Sequence, residues 1–528
     1  MTADRKKYIL AVDLGTSGPK SAIVSTDGEV IDSEFMEVPL HLFPGGGAEQ
    51  DPEEWWRAIM STSKKVLAKG LVPPGDIVAV ACTTQWSGTV AVDKDGNHLM
   101  NAIIWLDTRG HRHMRKQVKG IVNVEGIGLL KAIRWVWLTG GVPSPSGKDP
   151  FSHILFIRNE RPEVYRNTYK FLEPKDYVNL RFTGRFFASY DSIALHWVTN
   201  NRDINNIFYG KKLLKWSTFD PEKLPELKQS VDICGTIKPE VADELGLSRD
   251  VKLVMGCPDL QSAAIGSGAV RDYEGHIYVG TSSWVICHVP FKKTDLFHNF
   301  ASLPSALPGR YLIAAEQETA GKCLSFLRDN ILYCKDELSR AEPEPDVYRK
   351  FDNVVENIPP GSNKVIFTPW LYGERAPAES ESVRAAFLNL SLDTTRGHMI
   401  RAVYEGVAYN NRWLMGYIEK FIRRPFPYLN FIGGGASSDV WCQIIADVLD
   451  RKIRQVGDPI TANVRGAAFL ASIALGYLTI DQVAERIPVK KEYMPDPANR
   501  NAYDELYREF VEFYHRNKKM YRKLNRPE

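Results

Sequence analysis

AVDLGTSG, at Ala11 to Gly18, and YVGTSSW, at Tyr278 to Trp284, decide how this chain is built. Each follows an apolar run, YILAV before the first and HIYV before the second, so each Gly-Thr-Ser falls where a strand ends. One such turn is an ordinary hairpin, because Gly and Ser are common turn residues. Two at equivalent positions, half a chain apart, point to a duplicated unit. A tight turn aims several backbone N–H groups at one spot, glycine allows close approach, and the hydroxyls add donors. Such a concavity suits a phosphate, and two facing turns can grip a polyphosphate from both sides.

The surrounding pattern is α/β. YILAVDLGTSGPKSAIVSTDGEVI reads as a hairpin. DPEEWWRAIMSTSKKVLAKG reads as a helix with Asp51 as N-cap, Pro52 in the first turn, Glu54 completing a capping box and Gly70 as the stop. IVAVACTTQ is a buried strand, and TVAVDKDGNHL a hairpin arm. From Gly120 to about Leu253 the pattern becomes mixed helix and loop, read as an insertion; VKLVMG, Val251 to Gly256, is a buried strand, and GAVRDYEG, Gly268 to Gly275, the crossover between halves. In LNFIGGGASSDVWCQIIADVLDRKI a strand runs into Gly433, Gly434 and Gly435. A helix follows, with Val440, Trp441, Ile444, Ile445, Val448 and Leu449 on one face. That layout lacks the dinucleotide spacing and the Walker lysine, and fits a nucleoside lying on backbone. From Asn501 to Leu524 a terminal helix carries an aromatic face, read as a docking helix over a core.

At roughly 100–200 residues per domain, 528 residues make two large domains the simplest count. A formal charge of +3 is too small at this length for a polyanion-binding surface, so no nucleic-acid partner is expected. Seven scattered cysteines without Cys-x-x-Cys suggest neither a zinc cage nor a disulfide framework, and fit a reducing cytoplasm. Asp13 ends the apolar run after DRKK too early for a signal peptide. GAAFLASIALGYL, Gly466 to Leu478, is too short to span a bilayer and reads as a buried helix, so no membrane partner is expected.

Two aspartates add chemistry. Asp13 lies two residues before Gly15 at a strand end, where a carboxylate can hold Mg²⁺ through water or simply cap the turn. In VMGCPDLQSAAIGSG, Asp259 follows a strand and opens a small-residue helix. It can accept a proton from an attacking hydroxyl, or serve only as an N-cap.

In order along nearly the whole chain, these segments resemble the FGGY carbohydrate kinases of the sugar kinase, heat-shock ATPase and actin superfamily. AVDLGTSGPK looks like the opening phosphate loop; DPEEWW and TQWSG follow in place. ILFIRNERPEVY and KDYVNLRFTGRF look like the central signature of xylulokinase-type members. GCPDLQSAAIGSG resembles the segment with the catalytic aspartate, and GERAP, IRAVYEGVAYN and IGGGASSDVWCQIIADVL resemble the C-terminal signatures. The resemblance implies two ribonuclease-H-like (actin-like ATPase) domains flanking a central cleft. Residues 1–267 would form a sugar-binding N-terminal domain, 268–485 a nucleotide-binding C-terminal domain, and 486–528 the docking helix. It implies ATP and Mg²⁺ as cofactors and a small sugar as substrate. Asp259 would be the general base and Asp13 the metal residue. Gly15, Thr16 and Ser17 would face the phosphates from one side, Gly280, Thr281 and Ser282 from the other; Gly321, Gly434, Gly435 and Asp439 would lie near the nucleotide.

Gln85, Trp86 and Asp107 are the sugar-pocket candidates. Glycerol kinases have Arg-Glu where this chain has Gln85-Trp86-Ser87, which argues against glycerol, and Ser325 departs from their glutamine. Xylulokinases have Gln-Met-His-Gly there and Asn after the catalytic Asp, where this chain has Leu260; Asp107 in WLDTR matches their Trp-Asn-Asp pattern. The reading is an ATP-dependent kinase for D-xylulose or a similar pentulose. A kinase for another ketose or polyol, and a non-catalytic ATP-binding switch on the same fold, are the alternatives. The resemblance admits a homodimer, and the sequence does not choose between that and a monomer.

Overall fold

The computed structural model describes residues 6–525 except 125–126, 335 and 338–341. The start of the DRKK stretch and the last three residues of the 486–528 segment lie outside the described residues.

Two sheets repeat one plan. In the first, Val30–Phe35, Gly18–Ser25 and Tyr8–Gly15 form an antiparallel meander; Ile77–Thr84 and Lys252–Pro258 add in parallel, and Ile233–Thr236 closes the edge antiparallel. In the second, Tyr311–Ala314, Ser283–Val289 and Gly275–Val279 form the meander. Tyr428–Ile432 and Lys452–Val456 add in parallel, and Val489–Tyr493 closes the edge antiparallel. Both Gly-Thr-Ser turns connect the same two strands of this plan, as a duplication requires. Val489–Tyr493, inside the segment read as a docking helix, is thus an edge strand; the helix itself begins at Arg500 and ends at Leu524.

Strand alternation gives the first sheet two apolar faces. Leu10, Val12, Leu14 and Ile23 pack on Trp55 and Ile59 of the helix Pro52–Ala68. Asp51 caps that helix by accepting from Glu53 N at 2.8 Å. The expected capping box does not form: Glu54 Oε2 is buried with no hydrogen-bond partner. Ile9, Ala11, Ala22, Val24, Ala79 and Ala81 face the other way, onto Val464, Ala467, Ala468 and Ala471. These belong to the helix Ala462–Ala474, so the stretch read as a buried helix, Gly466 to Leu478, is one only as far as Ala474, with Gly476 and Tyr477 exposed beyond it; the helix covers the first sheet, between two strands of the second. Where it crosses the helix Asp259–Gly266, glycines face backbone. A Cβ on Gly266 would lie 1.8 Å from Ala462 O, and one on Gly466 would lie 1.9 Å from Ser262 O.

The stretch read as an insertion holds helices Leu129–Thr139 and Pro150–Glu160 with short paired strands around a core that includes Trp135 and Phe151. It is an insertion only in part: helix Pro174–Thr183 packs Tyr177, Val178, Leu180 and Phe182 into the core of the first sheet, to which strand Ile233–Thr236 also belongs. In the terminal helix Tyr503, Leu506, Phe510 and Tyr514 are buried, with the Phe510 ring 5.2 Å from that of Trp370. The cysteines are all free, and no described helix is long and apolar enough to cross a membrane.

Candidate active site

A cleft of about 2940 Å³ runs between the lobes and is lined by both Gly-Thr-Ser turns, Asp13, Asp259, Trp86 and the triple-glycine loop. In the first turn Gly15 pairs with Gly18, leaving Thr16 and Ser17 at the tip. Gly18 (φ +145°) is forced, since a Cβ there would sit 1.9 Å from Met36 O. The Thr16 hydroxyl accepts from Trp105 Nε1 at 2.9 Å and donates to Gln85 Oε1 at 3.2 Å. Gln85 Nε2 in turn donates to Gln50 Oε1 at 2.8 Å. The Gln85 amide is therefore engaged at both ends in holding the phosphate-type turn, although the residue lines the cleft.

In the second turn Gly280 N donates to Ser282 O at 3.0 Å, while Gly321 N donates to Gly280 O at 2.7 Å and Ala320 N to Thr281 O at 2.9 Å. Gly321 thus braces the turn with its own N–H, and its missing side chain is what allows the approach: a Cβ would lie 2.5 Å from Gly280 O.

Asp13 lies two residues before the end of its strand and lines the cleft, and Asp259 is the first residue of its helix. Burial pushes the Asp13 carboxyl up to about 6, against the pull of Lys20 and Asn463. Burial, then the charge of Asp13, pushes Asp259 up to about 8; Leu260 N, donating to Asp259 Oδ1 at 2.7 Å, pulls it back, and Glu316 adds to the rise. Two carboxyls that each resist ionisation call for a counter-charge. Asp13 Oδ1 is buried without a partner. No group of three or more potential ligands occurs among the described residues. Mg²⁺ fits that donor set, because it keeps several waters and takes one or two carboxylates together with phosphate oxygens.

In the second lobe Gly433 (φ +87°) turns the chain from strand Tyr428–Ile432 into the loop, and a Cβ on Gly434 would meet nothing within 4 Å, which leaves a flat open seat. Ser438 caps the helix Asp439–Leu449 by accepting from Trp441 N at 3.0 Å. Asp439 accepts from Gln455 Nε2 at 2.9 Å and Lys490 Nζ at 3.0 Å; these bonds, that from Gln455 first, hold its carboxyl low. Asp352, which sequence reasoning passed over, lines the same seat and accepts from Tyr404 and Ser438 hydroxyls, both at 2.8 Å.

On the other side, Trp86 lines the cleft with its Nε1 donating to Ser192 O at 3.0 Å, so its ring plane is fixed. Gly88 N donates to buried Glu173 at 2.9 Å. Asp107 is not among the lining residues: its carboxylate accepts from Ala48 N at 2.8 Å and Arg109 Nε at 2.8 Å, behind the wall. The wall also holds Trp105, Lys148, Glu316, Glu318 and Arg375. The sequence signals for these were Trp105 in WLDTR and Arg375 in GERAP, each read as part of a signature without a role of its own.

The family model for the N-terminal domain of the FGGY family of carbohydrate kinases matches residues 8–266, and that for its C-terminal domain matches residues 275–475. A xylulose kinase of Staphylococcus epidermidis is 27% identical over 527 residues, covering 98% of each chain. A gluconokinase of Bacillus subtilis is 25% identical over 509 residues, covering 96% of this chain and 95% of its own. The ligand-bound xylulose kinase structure from Lactobacillus acidophilus superposes with a TM-score of 0.85 at 24% identity, covering 98% of this chain and all of its own.

Proposed function

The chain belongs to the FGGY family of carbohydrate kinases, is a phosphotransferase with their actin-like fold, and within that family we propose that it phosphorylates a neutral ketose, D-xylulose or a similar pentulose, from Mg-ATP. The observation that carries this reading is Asp259: a cleft carboxyl raised to about 8, at the start of a helix, between two phosphate-type turns and the Trp86 wall. Phosphoryl transfer needs positioning and charge neutralisation more than covalent chemistry. Backbone donors of the Thr16 and Thr281 turns would hold the phosphates. Asp259 would take the proton of the attacking sugar hydroxyl. Mg²⁺, held at Asp13, would neutralise charge on the phosphates. Closing the lobes would keep water from replacing the sugar.

Neutral sugar is favoured over a sugar acid by charge. Lys148 and Arg375 line the sugar half of the cleft, and both are paired with carboxylates, Lys148 with Glu318 and Arg375 with Glu316 and Glu318. A gluconate carboxylate would find neither cation free. The test is ADP release with Mg-ATP against ketoses, polyols, glycerol and gluconate. One pentulose should respond strongly, with gluconate at least about tenfold lower in kcat/KM, the scale of one lost charge-assisted contact. Gluconate as the leading substrate would overturn the ketose assignment. ATP turnover indifferent to every sugar would favour an ATP-binding switch instead.

The protonation state of Asp259 sets the pH dependence. Only the ionised carboxyl accepts a proton, so kcat/KM for the sugar should rise about tenfold per pH unit below a midpoint near 8, and level off above it. Cation beside Asp13 favours the ionised form, so added Mg²⁺ should move the midpoint down. A flat profile between about pH 6 and 9 at low Mg²⁺ would remove Asp259 from the role of base.

A further inference from the structure

We propose that Lys148 is a positioning residue that ties the Trp86 loop of the first lobe to the second lobe, making nucleotide turnover depend on an occupied sugar pocket. The inference rests on the kinase reading above.

Lys148 is held at both ends. Its carbonyl accepts from the Ser87 hydroxyl at 2.8 Å, one residue after Trp86. Its ammonium reaches Glu318 Oε1 of the second lobe at 3.1 Å. The next residue, Asp149, accepts from Trp197 Nε1 at 2.8 Å and Ser144 N at 2.7 Å, so the backbone that aims Lys148 is fixed. The other Glu318 oxygen accepts from Arg375 Nε, and Arg375 Nη1 donates to Glu316. The guanidinium lies 5.1 Å from the Trp105 ring, whose Nε1 donates to the Thr16 hydroxyl at 2.9 Å. The path therefore leaves the sugar wall, crosses the cleft, and returns to the first phosphate-type turn.

An exposed ion pair with this geometry would do little. Here the Glu318 side chain is only 6% exposed, so loss of Lys148 leaves a covered carboxylate leaning on Arg375 alone. Lys148 and Glu318 belong to different lobes, so any movement that parts them breaks the contact. It therefore rewards closure at the spot where the Trp86 loop is set, and a sugar that orders this loop favours closure over the nucleotide.

The experiment compares wild type with Lys148→Met, Lys148→Arg, Glu318→Gln and the Met/Gln double variant. Lys148→Met and Glu318→Gln should each lower sugar-stimulated ADP release by about 10- to 100-fold, the scale of a small misplacement in a closed site. The double variant should be no worse than the worse single, because both remove one interaction. Lys148→Arg should recover part of the loss. Mg-ADP affinity without sugar should stay within about twofold, while its tightening by sugar is lost. Additive losses, or full sugar dependence in Lys148→Met, would overturn the proposal. Small-angle scattering of the Mg-ADP complex needs no sugar: Lys148→Met should be more extended than wild type, and identical profiles would also overturn it. Wild-type indifference to all sugars would defeat the kinase reading, while the scattering comparison would still decide whether Lys148 holds the lobes.

Discussion

Asp259→Asn is expected to lose about 10²–10⁴ in turnover, the usual contribution of a general base, while the protein becomes more stable to heat. The amide is isosteric and can still accept from Leu260 N, so the helix start and the nucleotide seat should persist. It cannot take the proton. Stability moves the other way because the wild-type carboxyl is disfavoured in the fold. Its ordinary value is 3.8 and its folded value about 8, so between them the folded state holds a proton that the unfolded chain releases. Wild-type stability therefore falls as pH rises across that window, and Asn removes the fall. Melting temperatures at pH 5 and pH 9, without nucleotide or Mg²⁺, should show a gain of a few degrees that is larger at pH 9. Turnover near wild type would end the assignment of Asp259 as base; a gain that shrinks with pH would contradict its buried, charge-crowded site.

Gly466→Ala is expected to be, with Gly266→Ala at the same crossing, among the most damaging single methyls in the molecule. The added carbon would lie 1.9 Å from Ser262 O, backbone of the helix that Asp259 opens. Two helices in contact by backbone cannot absorb that by a side-chain rotation, so one must slide. Overpacking of this kind costs about 1–3 kcal/mol, and more where both partners are main chain. The displacement would also carry Asp259 away from the turns, so turnover should fall at least about tenfold even in the folded fraction. Urea unfolding and kcat on the purified variant measure the two effects. Wild-type values for both would mean that the crossing is looser than its atoms indicate.

Much of this was legible along the chain because it is local. The Gly-Thr-Ser turns, the glycine loop at Gly433 and the aromatic face ending at Tyr514 depend on residues within a few positions of one another. What stayed hidden depends on partners far away. Nothing near Lys148 names Glu318, 170 positions on. Nothing in GAAFLASIALGYL says that its small residues fit the alanine face of the first sheet rather than the second. Gln85 was a sugar-pocket candidate because it stands where xylulokinases carry Gln-Met-His-Gly; its amide is engaged by Thr16 and Gln50, far from it along the chain. Asp107 matched a pattern, but Arg109, two residues on, turned its carboxylate inward. Glu54 stood at the right spacing for a capping box, yet the Asp51 carboxylate closed on Glu53 N instead.

The helix Ala462–Ala474 carries a further consequence, for the order in which the molecule is made. During synthesis the first sheet is complete once Lys252–Pro258 has emerged, but one of its faces stays bare until some two hundred more residues have followed. Ile9, Ala11, Val24 and Ala81 must wait in water for a cover that arrives with nearly the last of the chain. The nascent first lobe is then a half-dressed sheet, prone to association and a natural client for chaperones, and folding ends in a docking step of very high contact order. The same late arrival makes assembly self-checking: a truncated chain that lacks this helix leaves the second face of its first sheet uncovered.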